Sequence, residues 1–201
     1  MQHVVKHLRK PRMSRFPIDI PKSKKTEKLV IKEWLFVKIS EYFFYLMFII
    51  AFPFASIMEL ISDLNKNEPI GFSIFFLVLS LIFSGLIIYS IFDLNSLKRI
   101  NGLSRGKNSN LIKKIAENNK WNVQSTNQQM TIINFSWKDA GTDWGKQMTI
   151  LYDDKDILVN CISFGIASSP SPLHWFANKR KVTKLKSEFE NGIKNVLQQR
   201  V

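Results

Sequence analysis

Residues 70–92 read IGFSIFFLVLSLIFSGLIIYSIF, 23 positions without a charge. At 1.5 Å rise per residue a helix of that length reaches about 35 Å, enough to cross a hydrocarbon core of about 30 Å with some tilt. The chain reads outward from this stretch. Before it lie a basic tail and a companion apolar run; after it lies a polar segment the size of one small domain.

The companion run, Tyr42–Met58, is uncharged for 17 residues, near the lower limit for spanning. Helix is expected to extend both ways, from around Leu29 to about Ser62, with Lys38, Glu41, Trp34, Tyr42 and Tyr45 at the inner interface. Pro53 removes the bond to the Ile49 carbonyl, which predicts a kink. Glu59 stands within a turn of the connection and reads as wet rather than as an ion-handling acid. The connection, Asp63–Pro69, is short, polar and turn-forming, so the spans (about 36–61 and 70–93) should form an antiparallel hairpin. Ser73, Ser80 and Ser84 fall near one helical face and would let Pro53 and Ala55 approach closely. A pore-lining role is disfavoured, because no charge marks a path.

The chain has 201 residues, with 29 Lys+Arg against 16 Asp+Glu, a formal charge of +13. A mean hydropathy of −0.06 averages an apolar middle with polar ends. Beside two spans such a basic excess points to anionic lipid headgroups rather than nucleic acid, with Lys22, Lys24, Lys25, Lys28, Lys98, Arg99 and Arg105 as the headgroup contacts. Lys and Arg also fix orientation. They crowd Lys22–Lys38 and recur at Lys98, Arg99, Arg105 and Lys107, whereas the connection offers Lys66 alone. Both termini are therefore expected in the cytoplasm, in a cytoplasmic (inner) membrane. A secretory signal is rejected, since its charged region would be far too long. Cys161 is the single cysteine, which precludes an intramolecular disulfide and suits a reducing compartment.

Three segments follow from these patterns: a basic tail (1–28), the hairpin (29–96) and a cytosolic α+β domain (97–201). Pro11, Pro17 and Pro21 argue against helix before about Ser23. In the domain, Leu111, Ile112 and Ile115 mark a helix capped by Ser109 or Asn110. Alternation then predicts strands at Trp121–Gln124, Thr131–Trp137, Lys146–Tyr152 and Asp156–Phe164, an antiparallel four-stranded meander. A final helix from about Lys179 to Gln199 carries Val182, Leu185, Phe189, Ile193 and Val196 on one face. Both helices should cover one face of the sheet. Between strand and helix, Gly165–Asn178 is expected to be irregular because Pro170 and Pro172 interrupt it.

Several constellations invite chemistry. Asp153, Asp154 and Asp156 lack the alternating spacing and distal glutamate of a calcium loop and read as a hairpin turn. Cys161 with His174 has no evident orienting partner, and Asp139, Asp143 and His174 have no spacing that demands a hydrolytic site. No glycine-rich phosphate loop or His/Cys ligand pattern is present, so no cofactor or metal is expected. What stands out is Leu173, His174, Trp175 and Phe176 in a proline-braced segment, followed by Lys179, Arg180 and Lys181. Either these aromatics cap the core, or they form an aromatic and basic contact surface for headgroups or a protein partner.

Two apolar spans followed by the runs ILYDDKDILVNCIS (150–163) and SPSPLHWFANKRKVTKL (169–185) resemble small uncharacterised bacterial inner-membrane proteins, mainly over Trp121–Leu185. The resemblance implies a membrane context and no catalytic residue. The expectation is a non-enzymatic membrane protein tethering a protein-binding or regulatory module, of accessory or immunity type, with a protein partner or a second copy. The rivals are a membrane-bound hydrolase and an oligomeric transport component.

Overall fold

The computed structural model describes residues 17–32, 35–135, 145–165 and 170–198. Its elements are α1 (Ile20–Thr26), α2 (Leu35–Lys66), α3 (Gly71–Asp93), β1 (Lys98–Ile100), α4 (Arg105–Asn118), β2 (Asn122–Thr126), β3 (Met130–Phe135), β4 (Lys146–Asp153), β5 (Asp156–Ser163), a 3₁₀ turn (Pro172–His174) and α5 (Trp175–Gln198).

Helices α2 and α3 are both long and apolar enough to cross a membrane. They lie side by side and antiparallel: Ser73 Oγ donates to Asp63 near the turn, while Ser84 and Phe83 meet Ile49 and Phe52 further from it. Helix α2 runs four residues past the expected Ser62 and ends on Asn67, whose left-handed φ of 56° lets Glu68 N–H reach Asp63 O (2.9 Å). Its other end begins at Leu35, not near Leu29. The seam on α3 is Ser73, Leu77, Ser80, Ser84 and Ile87, at steps of three and four. Opposite it stand Ile49, Pro53 and Ser56; Ala55 is exposed, contrary to the expected contact. Pro53 cannot donate to Ile49 O, and Ser84 Oγ does so instead at 3.1 Å. The carbonyl that proline orphans on one helix is satisfied by the other.

The sheet has five antiparallel strands, ordered β1-β5-β4-β3-β2, where the sequence reading expected four. The missed strand is β1, three residues long and directly after the apolar helix; it pairs with β5 through Lys98↔Val159 and Ile100↔Ile157. Three residues give alternation too little length to register. Residues 154–155 turn the β4–β5 hairpin, with Asp154 at φ 53°. Helix α4 starts at Arg105 with Ser104 as N-cap residue, so Asn108 lies inside it. There Asn108 is fully buried, accepting from Leu103 N–H (2.7 Å) and donating to Lys155 O (2.8 Å).

On one face, α4 and α5 pack Ile112, Ile115, Leu185 and Phe189 against Ile133, Met148, Ile150, Tyr152, Val159 and Cys161. The other face is covered too. Leu29 and Ile31 pack with Leu94, Ile162 and Phe164, and Ile20 packs with Leu97, Leu151 and Leu158. This corrects the expectation of a basic tail at Ile20 and of the first apolar helix at Leu29 and Ile31. Pro21 occupies the first turn of α1, where its missing N–H costs nothing, and Asp19 caps the helix by accepting from Lys22 N–H (3.2 Å). The segment is stitched to the chain after α3 by Leu29 N–H to Asn95 O (2.7 Å) and Leu97 N–H to Glu27 O (2.8 Å).

Candidate functional site

Only Asn95 to Leu97 separate the Leu94 cap of α3 from β1, too few for a flexible linker, and the domain is seated directly on the end of α3. Three contacts hold the seat. Ser90 Oγ donates to Pro172 O in the 3₁₀ turn. Trp175 meets Tyr89 edge to face with centroids 5.8 Å apart. Lys179 forms an ion pair with Asp93 (2.9 Å) and lies over both rings, 4.8 Å from Trp175 and 5.3 Å from Tyr89. The Asp93 hydrogen bond raises the pKa of Lys179 against an opposing desolvation, so the cation is held.

Helix α5 therefore begins at Trp175, four residues before the expected Lys179. Pro172 stands at the start of the 3₁₀ turn, where its fixed φ favours the helical entry that the sequence reading took it to forbid. This splits the candidate segment. Trp175 is half-buried in the seat, while Leu173 (55 %) and Phe176 (61 %) are exposed apolar side chains beside it. Phe92, the last residue but one of α3, is 73 % exposed. His174 is bonded through Nδ1 to Ser171 Oγ (2.8 Å). Arg180 is exposed, and Lys181 lies 4.9 Å from the Phe135 ring.

The basic residues divide as well. Arg99 donates to Glu27 (2.8 Å), Asp153 (3.0 Å) and Asp156 (3.0 Å), and these bonds, Glu27 first, raise its pKa. Lys24 donates to Tyr152 O and stands 3.8 Å from Asp153. Both are committed to an intramolecular network around the β4–β5 turn, which gives the aspartate cluster cationic partners of its own. Lys22, Lys25 and Lys28 are exposed on or beside α1, Lys98 on β1, and Arg105 at the start of α4. Asp139 and Asp143 lie outside the described residues.

Between α5 and the β1 edge runs a groove of about 380 Å³. Val159 and Cys161 line it from the sheet, Trp175, Asn178 and Val182 from α5, and Lys98, Lys179, Lys186 and Asp93 supply its charges. Asn178 is 5 % exposed; its Oδ1 accepts from Ser163 Oγ (2.6 Å), while its Nδ2 is buried without an acceptor. Asn160, also in the lining, donates to Leu94 O (3.0 Å) and Ser96 O (2.8 Å), and its Oδ1 is buried without a donor. Sequence reasoning missed this groove, because its walls are brought together by β1, which was not foreseen.

Comparison with family models, curated proteins and solved structures finds no match to this chain.

Proposed function

We propose that the chain is an integral membrane protein whose helical pair anchors a small α+β binding module rigidly at the cytoplasmic face, as a regulatory or accessory component rather than an enzyme. The observation that carries this reading is the outward apolar surface of both helices. Residues such as Phe43, Ile50, Phe54, Phe72, Phe75, Leu81 and Ile82 are exposed all along them, a surface far too large for water. Support for a fixed placement comes from the Ser90, Tyr89 and Asp93 contacts, which leave the module no linker on which to swing. Leu173, Phe176 and Phe92 then sit at headgroup depth, where aromatic and apolar side chains settle, with exposed lysines around them.

The test replaces Leu173 and Phe176 together by serine in the full chain. Both are exposed, so the fold should hold. Carbonate-washed membranes should retain the variant, while, with Trp34, Trp121, Trp137 and Trp144 replaced by phenylalanine in both chains, quenching of Trp175 by lipids brominated near the headgroup end of their acyl chains should fall. A chain released by carbonate in its unaltered form would overturn the membrane assignment; undiminished quenching in the variant would overturn the interfacial role of the segment.

A further inference from the structure

We infer that the groove between α5 and β1 holds the headgroup of one anionic phospholipid, an inference that rests on the membrane placement proposed above. Its position selects the class of ligand. One end lies at Asp93 and Leu94, where the apolar helix gives way to polar chain, and Lys179 to Lys186 carry it two turns along α5, about 10 Å. That length suits a phosphate with its glycerol substituents and does not admit acyl chains, which would stay with the bilayer beside α3.

The lining matches an anion of this kind. Lys98, Lys179 and Lys186 face a single carboxylate, Asp93. Lys179 is occupied by Asp93, and Lys186 is 3.6 Å from Glu190 in an exposed pair of the weak type. Lys98 has no ion-pair partner among the described residues and is exposed on the edge strand, ready to take a phosphate oxygen. Asn178 borders the groove as well, and its buried Nδ2 has no acceptor among the described residues, which costs free energy. Asn160 Oδ1 asks for the opposite, a donor. An anionic headgroup that also carries hydroxyl groups, the phosphoglycerol type, brings a phosphate oxygen to Lys98 and hydroxyl donors to the Asn160 end of the lining; a choline headgroup brings no donor. Val159, Val182 and the Trp175 ring supply the apolar wall against which glycerol carbons rest.

The experiment uses the full chain in neutral detergent, titrated with dihexanoyl phosphatidylglycerol, dihexanoyl phosphatidylcholine or inorganic phosphate. Native mass spectrometry counts bound molecules, and the alkylation rate of Cys161, which lines the groove, reports occupancy. The expected result is one phosphatidylglycerol per chain, slowed alkylation, and at least about tenfold weaker binding in Lys98→Gln and in Lys186→Gln, since each removes a charge-assisted contact. Lys194→Glu, exposed on α5 outside the groove, should bind as the unaltered chain does. Equal binding of phosphatidylcholine, or equal protection by inorganic phosphate, would overturn the assignment, as would undiminished binding by the glutamine variants. A chain that resists carbonate extraction yet binds no phosphatidylglycerol sinks this inference alone; a chain that carbonate releases sinks the membrane placement beneath it.

Discussion

At the scale of single residues, polar side chains decide how the apolar helices fit. Ser84 closes the hydrogen bond that Pro53 leaves open at Ile49 O, so Ser84→Ala should orphan a carbonyl in an apolar seam. Interhelical bonds of this kind contribute on the order of 0.5–2 kcal/mol. Reversible unfolding of the full chain in mixed micelles should show a loss of that size, and Ser84→Thr, which keeps the hydroxyl, should show less. Arg99 is the corresponding residue in the domain, joining Glu27 beside α1 to both arms of the β4–β5 turn. Its side chain is 36 % exposed, so solvent screens the network. Arg99→Met should cost about 1–2 kcal/mol in low salt and less as salt rises. The Lys179 pair carries a definite sign with pH. Asp93 raises the folded pKa above 10.5, so the contribution is complete below 10.5 and is lost only as pH rises through the shifted value. Thermal melts of Lys179→Met and of the unaltered chain should differ by a constant amount from about pH 6 to 9, and converge only as pH rises beyond the ordinary lysine pKa.

At the scale of elements, the segment 17–32 changes the architecture from two layers to three. Sequence alone presents it as a basic tail with lysines for lipid headgroups, passing into the first apolar helix around Leu29. Yet Leu29 is 3 % and Ile31 5 % exposed, in a strip where Lys22, Lys25, Lys28 and Lys32 are exposed and Lys24 is turned in to the Tyr152 carbonyl. Leu29→Ala should therefore cost about 2–5 kcal/mol, like truncation of any core leucine. An unchanged melting temperature would show that the segment is a passenger. Phe189 tests the other face. It is fully buried between α5 and the sheet, so Phe189→Ala should cost about 3–5 kcal/mol, measured by denaturant unfolding of the full chain.

For the whole molecule, the consequence of a short connection between α3 and β1 is that anchor and domain share one frame. Orientation then follows for everything at once. With Cys161 replaced by serine, a cysteine at Asn67 should react with an impermeant reagent on intact cells, and one at Asn127, in the β2–β3 turn, only after permeabilisation. The reverse pattern would move the domain, its groove and the exposed Leu173 and Phe176 to the other side of the membrane.

By itself the sequence determined the elements whose signal is long or periodic. Twenty-three uncharged residues announce α3, and the alternation of Met148, Ile150 and Tyr152 announces β4, because each pattern repeats the geometry that buries it. The same holds for Leu185 and Phe189, which α5 buries as their spacing requires. Tertiary structure decided the rest. Three residues at Lys98–Ile100 become a strand only because β5 offers an edge, and Pro21 and Pro172 start helical turns because their neighbours supply the context that a proline alone does not. The candidate site follows the same division: its aromatic and basic residues are legible in the chain, but which are seated and which exposed depends on where Tyr89, Ser90 and Asp93 stand. Those partners come from an element some 80 to 90 residues away, and no local pattern encodes a contact at that separation.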